Sequence, residues 1–244
     1  YKRQLKHLLA YKGYETKLNE LNRSSLYDYA QYRRTHDDAA LVTIRNEQAT
    51  LNHLMRFAYR RGYAAFDAFD FAALKIRDAS RRDTFTLDEY DSLVRALNTY
   101  VSTSSCGDEN DQQQRLMIRD CVLIGSNTML RVGELWQLTW ADIVEYSKHT
   151  NDAGHAVTLV AIKVRAETAK TRKARLITVR GGEYFQRLYA RTQFKDKSDY
   201  IFHGTTGKDR LSKRVLYDAW ADLMSTIGID YKSRNLTWYS LRHF

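Results

Sequence analysis

The spacing of apolar residues changes near Trp140, and this change constrains the fold more than any other feature of the chain. Upstream, from Leu5 to about Tyr63, apolar residues recur at helical spacing. Downstream, three segments rich in Val, Ile, Leu and Thr are joined by turn-forming stretches, as in a small antiparallel sheet. Helices return after Gly181-Gly182. The pattern predicts a mainly α chain with a small antiparallel β-sheet, whose strands are Ile143–Tyr146, Ala156–Val164 and Ala174–Val179.

The clearest helix is predicted over 41–58, because positions 41, 44, 47/48, 51, 54, 55 and 58 share one face. It runs into Arg60, Arg61 and Gly62, and basic residues followed by glycine are typical of a helix end. A shorter helix over about 26–36 is expected to be capped by Ser24 or Ser25. Further helices are predicted at about 2–12, 87–101, 112–129, 183–192 and 211–226.

The chain is predicted to contain two domains. Residues 76–83 are polar and charged, and Thr86 with Glu89 then forms the capping-box pattern that opens a new helix. A chain of 244 residues is also long enough for two domains of ordinary size. We therefore expect a first domain over 1–76, a linker over 77–85 and a second domain over 86–244.

The composition favours a polyanionic partner. The 39 Lys and Arg residues exceed the 29 Asp and Glu residues, giving a net charge of +10, which is typical of nucleic-acid binding, although a merely basic soluble protein is the alternative. No apolar run is long enough to cross a bilayer, and no signal peptide begins the chain, so an intracellular, cytoplasmic location is expected. The two cysteines and the scattered histidines predict neither a disulfide framework nor a metal site.

Three basic motifs are the candidates for chemistry. Arg131 lies in Met129–Leu135, and Arg242 lies in the final residues, 111 positions downstream. A guanidinium grips two phosphate oxygens with a planar fork, so two of them could hold a phosphodiester if the fold brings them together. The third motif is a basic turn before the last strand, where a cation could lie against DNA phosphate. The alternative for each of the two Arg motifs is a surface arginine, and the alternative for the turn is a solvated, charged hairpin. The turn carries Lys170, Arg172, Lys173 and Arg175.

In order and spacing, these features resemble the tyrosine recombinases, the phage-integrase family of DNA strand-exchange enzymes. The resemblance covers nearly the whole chain: a helical domain, a linker, the Leu-Arg-x-x-Glu-Leu box with Arg131, the Lys-Thr-x-Lys-x-Arg hairpin, and the Leu-Arg-His box with Arg242. It implies an N-terminal helical core-binding (SAM-like) domain followed by an α+β catalytic domain.

The resemblance also implies roles for individual residues. Arg131 and Arg242 would clamp the scissile phosphate, and Lys170 would protonate the leaving 5′-hydroxyl, with Lys173 as the alternative register. Glu134 would orient Arg131 or the helix around it, and His243 would have a structural role. The expected DNA-binding residues are Arg56, Arg60, Arg61, Arg172, Lys173 and Arg175.

The chain departs from the family pattern in two places. Tyr239 occupies a position that is often His, and a tyrosine hydroxyl donates a hydrogen bond to phosphate but is a poor proton acceptor near neutral pH. The family's nucleophilic Tyr lies a few tens of residues beyond the second Arg, so none of the 17 tyrosines is assigned as nucleophile. We therefore expect the chain to be a fragment that is inactive alone.

The function implied by the resemblance is site-specific DNA recombination through a 3′-phosphotyrosyl intermediate. The expected partner is double-stranded DNA, with a homotetramer on paired sites for the full-length protein and no cofactor, metal or membrane. A non-catalytic DNA-binding protein on the same scaffold and a type IB topoisomerase-like enzyme are the alternatives. RNA binding is disfavoured, because the chain lacks aromatic-rich strands of the RNA-recognition type.

Overall fold

The computed structural model describes residues 2–76, 83–150, 152 and 154–243, and it divides the chain into two compact units, Tyr1–Ser80 and Arg81–Phe244. Positions 77–82 of the predicted linker lie outside the described residues. The assignment of the two units as a DNA-binding and a catalytic domain stays a prediction.

The first unit is helical. It contains α1 (Lys2–Lys12), α2 (Tyr29–Asp37) and α3 (Leu41–Arg60). The predicted apolar face of α3 is confirmed, because Ile44, Leu51 and Met55 are buried. They belong to a face that also buries two polar residues, Glu47 and Gln48. The unit's core consists of Leu26, Tyr29, Leu51, Met55, Phe66 and Phe69.

A buried ion pair joins α2 to α3. Both carboxylate oxygens of Glu47 accept from the Arg33 guanidinium at 2.8 Å, and the Tyr29 hydroxyl donates to one of them at 3.0 Å. Burial would raise the pKa of Glu47, but the bonds from Arg33 and Tyr29 lower it below its usual value. The carboxylate is thus charged and fully partnered inside an apolar core, as a buried charge requires.

The predicted cap of the second helix is wrong. Ser24 and Ser25 lie in a 3₁₀ turn, Arg23–Leu26, and α2 begins only at Tyr29. The turn is capped by Asn22, whose side-chain oxygen accepts from the Ser24 backbone N–H and from both serine hydroxyls. Ser25 Oγ in turn accepts from the Asn22 backbone N–H at 2.9 Å, so this serine serves the 3₁₀ turn and not the start of α2.

The second unit confirms the predicted mixture of helices and antiparallel strands. The capping box at its first helix is present, since Thr86 and Glu89 each accept from the other's backbone N–H, at 3.2 and 2.8 Å. Of the remaining 3₁₀ turns, Leu18–Glu20 belongs to the first unit, and the second unit contains Thr103–Ser105, Trp140–Asp142 and Trp238–His243. The helices are α4 (Leu87–Tyr100), α5 (Glu109–Thr128), α6 (Val132–Leu135), α7 (Gly182–Arg191) and α8 (Lys213–Thr226).

The sheet has the order β1-β2-β3 with both pairs antiparallel; the strands are β1 (Ile143–Thr150), β2 (Ala156–Val164) and β3 (Arg175–Arg180). The first strand is four residues longer than predicted. Its end pairs with β2 as far as Thr150 opposite Ala156, although its polar, exposed side chains carry no apolar signature. The central strand β2 supplies Val160, Ile162 and Val164 to the core, where they meet α5 and α7 in one apolar cluster.

No helix among the described residues combines the length and apolarity that crossing a bilayer needs. The same residues contain no cluster of three or more His, Cys, Asp or Glu side chains suited to a metal ion.

Gly182 marks a close approach between α7 and the sheet. A Cβ there would lie 2.7 Å from the Thr158 side chain and 3.0 Å from the Leu159 carbonyl oxygen. We expect Gly182→Ala to lower the free energy of unfolding by about 1–3 kcal/mol, because the added methyl forces the helix off β2. Urea denaturation measures this change. Gly107→Ala is the control, since nothing lies within 4 Å of its Cβ; equal effects of both substitutions would contradict the prediction.

Candidate active site

The end of α5 directs the chain into the candidate site. Met129 follows α5 with a left-handed backbone, φ 53°, a conformation that is uncommon for residues other than glycine. The turn buries Leu130 and makes Arg131 the N-cap of the short helix α6. Arg131 therefore follows the apolar helix directly, as predicted, and the next turn of chain presents Glu134 to it.

Glu134 is the buried centre of the site, with its side chain 2% exposed. It accepts from the Arg131 backbone N–H at 3.0 Å and from Arg131 Nη1 at 2.9 Å. Its two oxygens also accept from Arg175 Nη1 and Nη2, at 3.1 and 2.7 Å. Such a bidentate pair is geometrically specific. The structure pairs Glu134 with Arg131 and adds Arg175 as a second partner, while the role of Glu134 in orienting Arg131 stays a prediction.

The two guanidiniums keep Glu134 ionised. Burial alone would raise the pKa of this carboxyl, but the hydrogen bonds from Arg175 and Arg131 lower it to about 2. Both Arg131 and Arg175 remain about one-third exposed, so each reaches from the buried carboxylate to solvent.

Arg131 and Lys170 line the same pocket, which has a volume of about 380 Å³. The structure thus brings together two of the predicted catalytic residues, one from the end of α5 and one from the turn between β2 and β3. Lys173, the alternative hairpin lysine, is exposed and does not line this pocket. The lining residues are Arg131, Gly133, Glu134, Glu167, Thr168, Ala169, Lys170 and Arg172.

The basic turn is anchored by Arg165, a residue that the sequence interpretation missed. Arg165 Nη2 donates to the Gln137 carbonyl oxygen at 2.6 Å, and its Nε lies 3.0 Å from the buried Asp142 carboxylate. Ala169, next to Lys170, is buried and bonds back to the Arg165 carbonyl. The turn is therefore held against the chain that follows α6. No local pattern signals this, because Arg165 acts on residues more than 20 positions away.

The two Arg boxes meet on α5. A Cβ on Gly125 would lie 3.6 Å from both Leu135 and Leu241, which are buried neighbours of the Arg131 and Arg242 boxes. Both segments therefore pack against the same turn of α5. The Arg242 guanidinium lies 5.8 Å from the centre of the Tyr239 ring, so these two predicted residues are also adjacent.

The predicted DNA-binding residues fall into different surroundings. Arg172 lines the pocket and has a left-handed backbone, φ 55°. Arg175 has both terminal nitrogens on Glu134, so its guanidinium is already engaged by a buried carboxylate. In the first unit, Arg56, Arg60 and Arg61 are exposed at the end of α3. The side chain of His243 lies outside the described residues.

This arrangement suits phosphate chemistry. The pocket combines a guanidinium whose orientation is fixed by an ionised partner with an exposed ammonium on the opposite turn. Fixed cations stabilise charge that develops on phosphoryl oxygens without having to reorganise.

Comparisons with known proteins point the same way. The family model described as the phage integrase family matches residues 83–244. No curated protein sequence matches the chain.

Three solved structures are similar in fold. The Tn1549 transposon integrase in complex with transposon right end DNA has a TM-score of 0.64 at 17% identity, covering 99% of this chain and 77% of that one. XerH site-specific recombinase bound to difH substrate has a TM-score of 0.59 at 16% identity, with 99% and 64% covered. A lambda integrase dimer bound to a COC′ core site has a TM-score of 0.58 at 16% identity, with 99% and 61% covered. The chain thus spans less than two thirds of the XerH and lambda integrase chains.

The ionised state of Glu134 predicts a pH dependence of stability. Because folding lowers its pKa from the ordinary 4.5 to about 2, its contribution is complete above about pH 5.5 and is lost as the pH falls toward 2. We expect the stability difference between the native chain and Glu134→Gln to shrink by about 2 kcal/mol between pH 6 and pH 3. Urea denaturation at each pH measures it.

Glu145→Gln, on the exposed face of β1, is the control for the removal of one carboxylate. A difference for Glu134→Gln that stayed constant across this pH range would show that its carboxyl group is not held ionised by the two arginines.

Proposed function

The chain belongs to the phage integrase family of tyrosine recombinases, and we propose that it serves site-specific recombination, cutting and rejoining DNA through a 3′-phosphotyrosyl intermediate. Members of this family are enzymes that cleave DNA. The observation that carries the proposal is the shared pocket of Arg131 and Lys170, with Arg131 bound to the ionised Glu134.

In the proposed reaction, Arg131 binds the scissile phosphate. One of its terminal nitrogens donates to Glu134, and the rest of its guanidinium faces the pocket with donors for phosphoryl oxygens. A tyrosine hydroxyl gives its proton to water as its oxygen attacks phosphorus, the bond to the 5′-oxygen breaks, and negative charge grows on the non-bridging oxygens in the transition state. Loss of a fixed donor to such charge typically slows a reaction 10²–10³-fold. Arg242 is proposed as the second guanidinium, supported by the packing of its box against Gly125.

Lys170 is proposed as the acid that protonates the leaving 5′-oxygen. Its support over Lys173 is its place on the pocket that Arg131 also lines. In the rejoining step the 5′-hydroxyl returns this proton to Lys170 and its oxygen attacks phosphorus, and the bond to the tyrosine oxygen breaks. Because the phosphotyrosyl ester keeps the energy of the cleaved phosphodiester, no nucleotide cofactor is consumed. Tyr239, beside Arg242, is proposed as a hydrogen-bond donor to the phosphate and not as the general base.

DNA is the proposed partner. The recombinase structures similar to this chain contain DNA, and the net charge of +10 favours a polyanion. The exposed arginines at the end of α3 are proposed to contact DNA phosphates in the first unit. A homotetramer on paired sites and a cytoplasmic location remain predictions, as does a nucleophilic tyrosine beyond Phe244.

The proposal predicts a covalent adduct. We expect the chain extended past Phe244, incubated with nicked DNA carrying its site, to give a protein–DNA species that survives denaturation. Arg131→Ala and Arg242→Ala should each reduce the adduct at least about 100-fold while only weakening DNA binding, as measured by gel shift. The adduct should persist in the presence of a chelator. Binding without an adduct on any candidate site would favour the non-catalytic scaffold, and supercoil relaxation without joining of two sites would favour a topoisomerase.

The role of Lys170 predicts a specific rescue. Lys170→Ala should slow cleavage about 10²–10⁴-fold, the usual contribution of a general acid. A substrate with sulfur in place of the bridging 5′-oxygen should restore the rate, because a thiolate leaves without a proton. Lys173→Ala, three residues along the same turn, is the matched control and should cleave normally. If the sulfur substrate rescued Lys173→Ala instead, the register of the hairpin lysine would be reversed.

A further inference from the structure

Three arginines surround one buried carboxylate on the side of α5 that faces α7. Asp120 is completely buried, and it accepts from Arg119 Nε at 3.2 Å and from Arg187 Nε at 3.3 Å. Further hydrogen bonds come from the terminal nitrogens of Arg187 and Arg191. We refer to Asp120, Arg119, Arg187 and Arg191 as the Asp120 cluster. None of its members lines the pocket that contains Arg131.

The cluster contains more positive charge than its carboxylate neutralises. One carboxylate and three guanidiniums leave two positive charges. The buried Glu47 of the first unit is served by a single guanidinium and a tyrosine that donate to its oxygens, and Glu134 by two guanidiniums. A buried carboxylate in this molecule is thus satisfied with fewer cations than Asp120 has.

The surplus is also one of hydrogen-bond donors. Three guanidiniums have about fifteen N–H groups, and a carboxylate accepts about four hydrogen bonds. Asp120 already receives four, and the three side chains form no other hydrogen bond with the residues that the structure describes. The remaining donors are not sealed off, because the side chains of Arg187 and Arg191 are 38% and 25% exposed.

The donors are held in place before any ligand arrives. Arg187 and Arg191 are four residues apart, so they project from the same face of α7, and Asp120 fixes one end of each guanidinium. The Arg187 guanidinium lies over the Tyr184 ring, 5.2 Å from the ring centre, in a cation–π contact. Burial and the neighbouring guanidiniums lower the pKa of Arg119, against the opposing effect of Asp120, as expected where like charges crowd together.

We propose that the Asp120 cluster is a phosphate-binding site, separate from the pocket of Arg131 and Lys170. A phosphate dianion, or two successive phosphodiesters, would bring the cluster to neutrality and accept hydrogen bonds from the exposed forks of Arg187 and Arg191. The source of phosphate that we favour is the backbone of bound DNA, a choice that rests on the proposed function. The oxyanion site itself rests only on the geometry of the cluster.

Thermal unfolding in inorganic phosphate tests the site. At matched ionic strength, about 100 mM phosphate in place of chloride should raise the Tm of the native chain by about 2–4 °C. The double variant Arg187→Gln with Arg191→Gln should lose the part of this shift that the cluster contributes, and only phosphate bound in the pocket of Arg131 and Lys170 should still raise its Tm. Arg95→Gln with Arg214→Gln, which removes two exposed charges from α4 and α8, is the matched control and should keep it. A shift that is equal in both double variants would overturn the site.

If the α7 double variant fails to fold, Arg119→Gln takes its place, since it leaves both α7 arginines on Asp120. It should reduce the phosphate shift while remaining folded, and an unchanged shift would count against the site.

The salt dependence of DNA binding identifies the source of the phosphate. If the cluster contacts DNA, the α7 double variant should lower the slope of log affinity against log salt by about 2 relative to the control. If the salt slope of the α7 double variant is unchanged but its Tm shift in phosphate is reduced, the cluster binds a free or terminal phosphate and not the DNA backbone. The thermal measurement does not depend on DNA binding, so it remains decisive if the proposed function fails.

Discussion

The hydrogen bonds of Glu134 are the interaction on which the candidate site depends. A carboxylate that is excluded from water is stable only when it is paired with a cation and hydrogen-bond donors replace its hydration. Here the donors come from two places: Arg131 at the start of α6, and Arg175 at the start of β3. By satisfying one buried charge, the two arginines join the helical part of the unit to its sheet. The guanidinium of Arg131 is thereby held in one orientation, as its proposed role in stabilising phosphoryl charge requires.

Two further contacts assemble the rest of the site around this centre. Arg165 holds the turn that carries Lys170 against the segment after α6, and Leu135 and Leu241 pack against α5 at Gly125. The contacts of Arg165 are polar and those at Gly125 are apolar. In both cases a residue outside a short motif holds that motif in place. Arg131 and Lys170 therefore line one pocket, whereas Arg242 does not line it and its segment packs with Leu135 on the same turn of α5.

Buried carboxylates recur as organising points in both units, and their surroundings distinguish their roles. Glu47 is closed off by Arg33 and Tyr29 inside an apolar core, so it joins helices and offers nothing to solvent. Glu134 is paired with two guanidiniums that remain partly exposed. Asp120 has more cationic partners than its charge requires. Two properties therefore distinguish a structural ion pair from one suited to bind an anion. They are the number of N–H donors that remain after the carboxylate is satisfied, and the exposure of those donors to solvent.

The sequence by itself determined the elements of this fold and the identity of its motifs. Periods of 3.6 and 2 residues, the capping box at Thr86 and the glycine after α3 are local signals, and α3, α4, β2, β3 and the first half of β1 form where these signals lie. Only the tertiary structure decided which residues meet. In the tertiary structure Lys170, and not Lys173, lines the pocket of Arg131. Arg175 binds Glu134, and three arginines bind Asp120. These arrangements depend on contacts between residues up to 71 positions apart. A local sequence pattern does not specify which distant residues come into contact, because the packing of the helices against the sheet decides it.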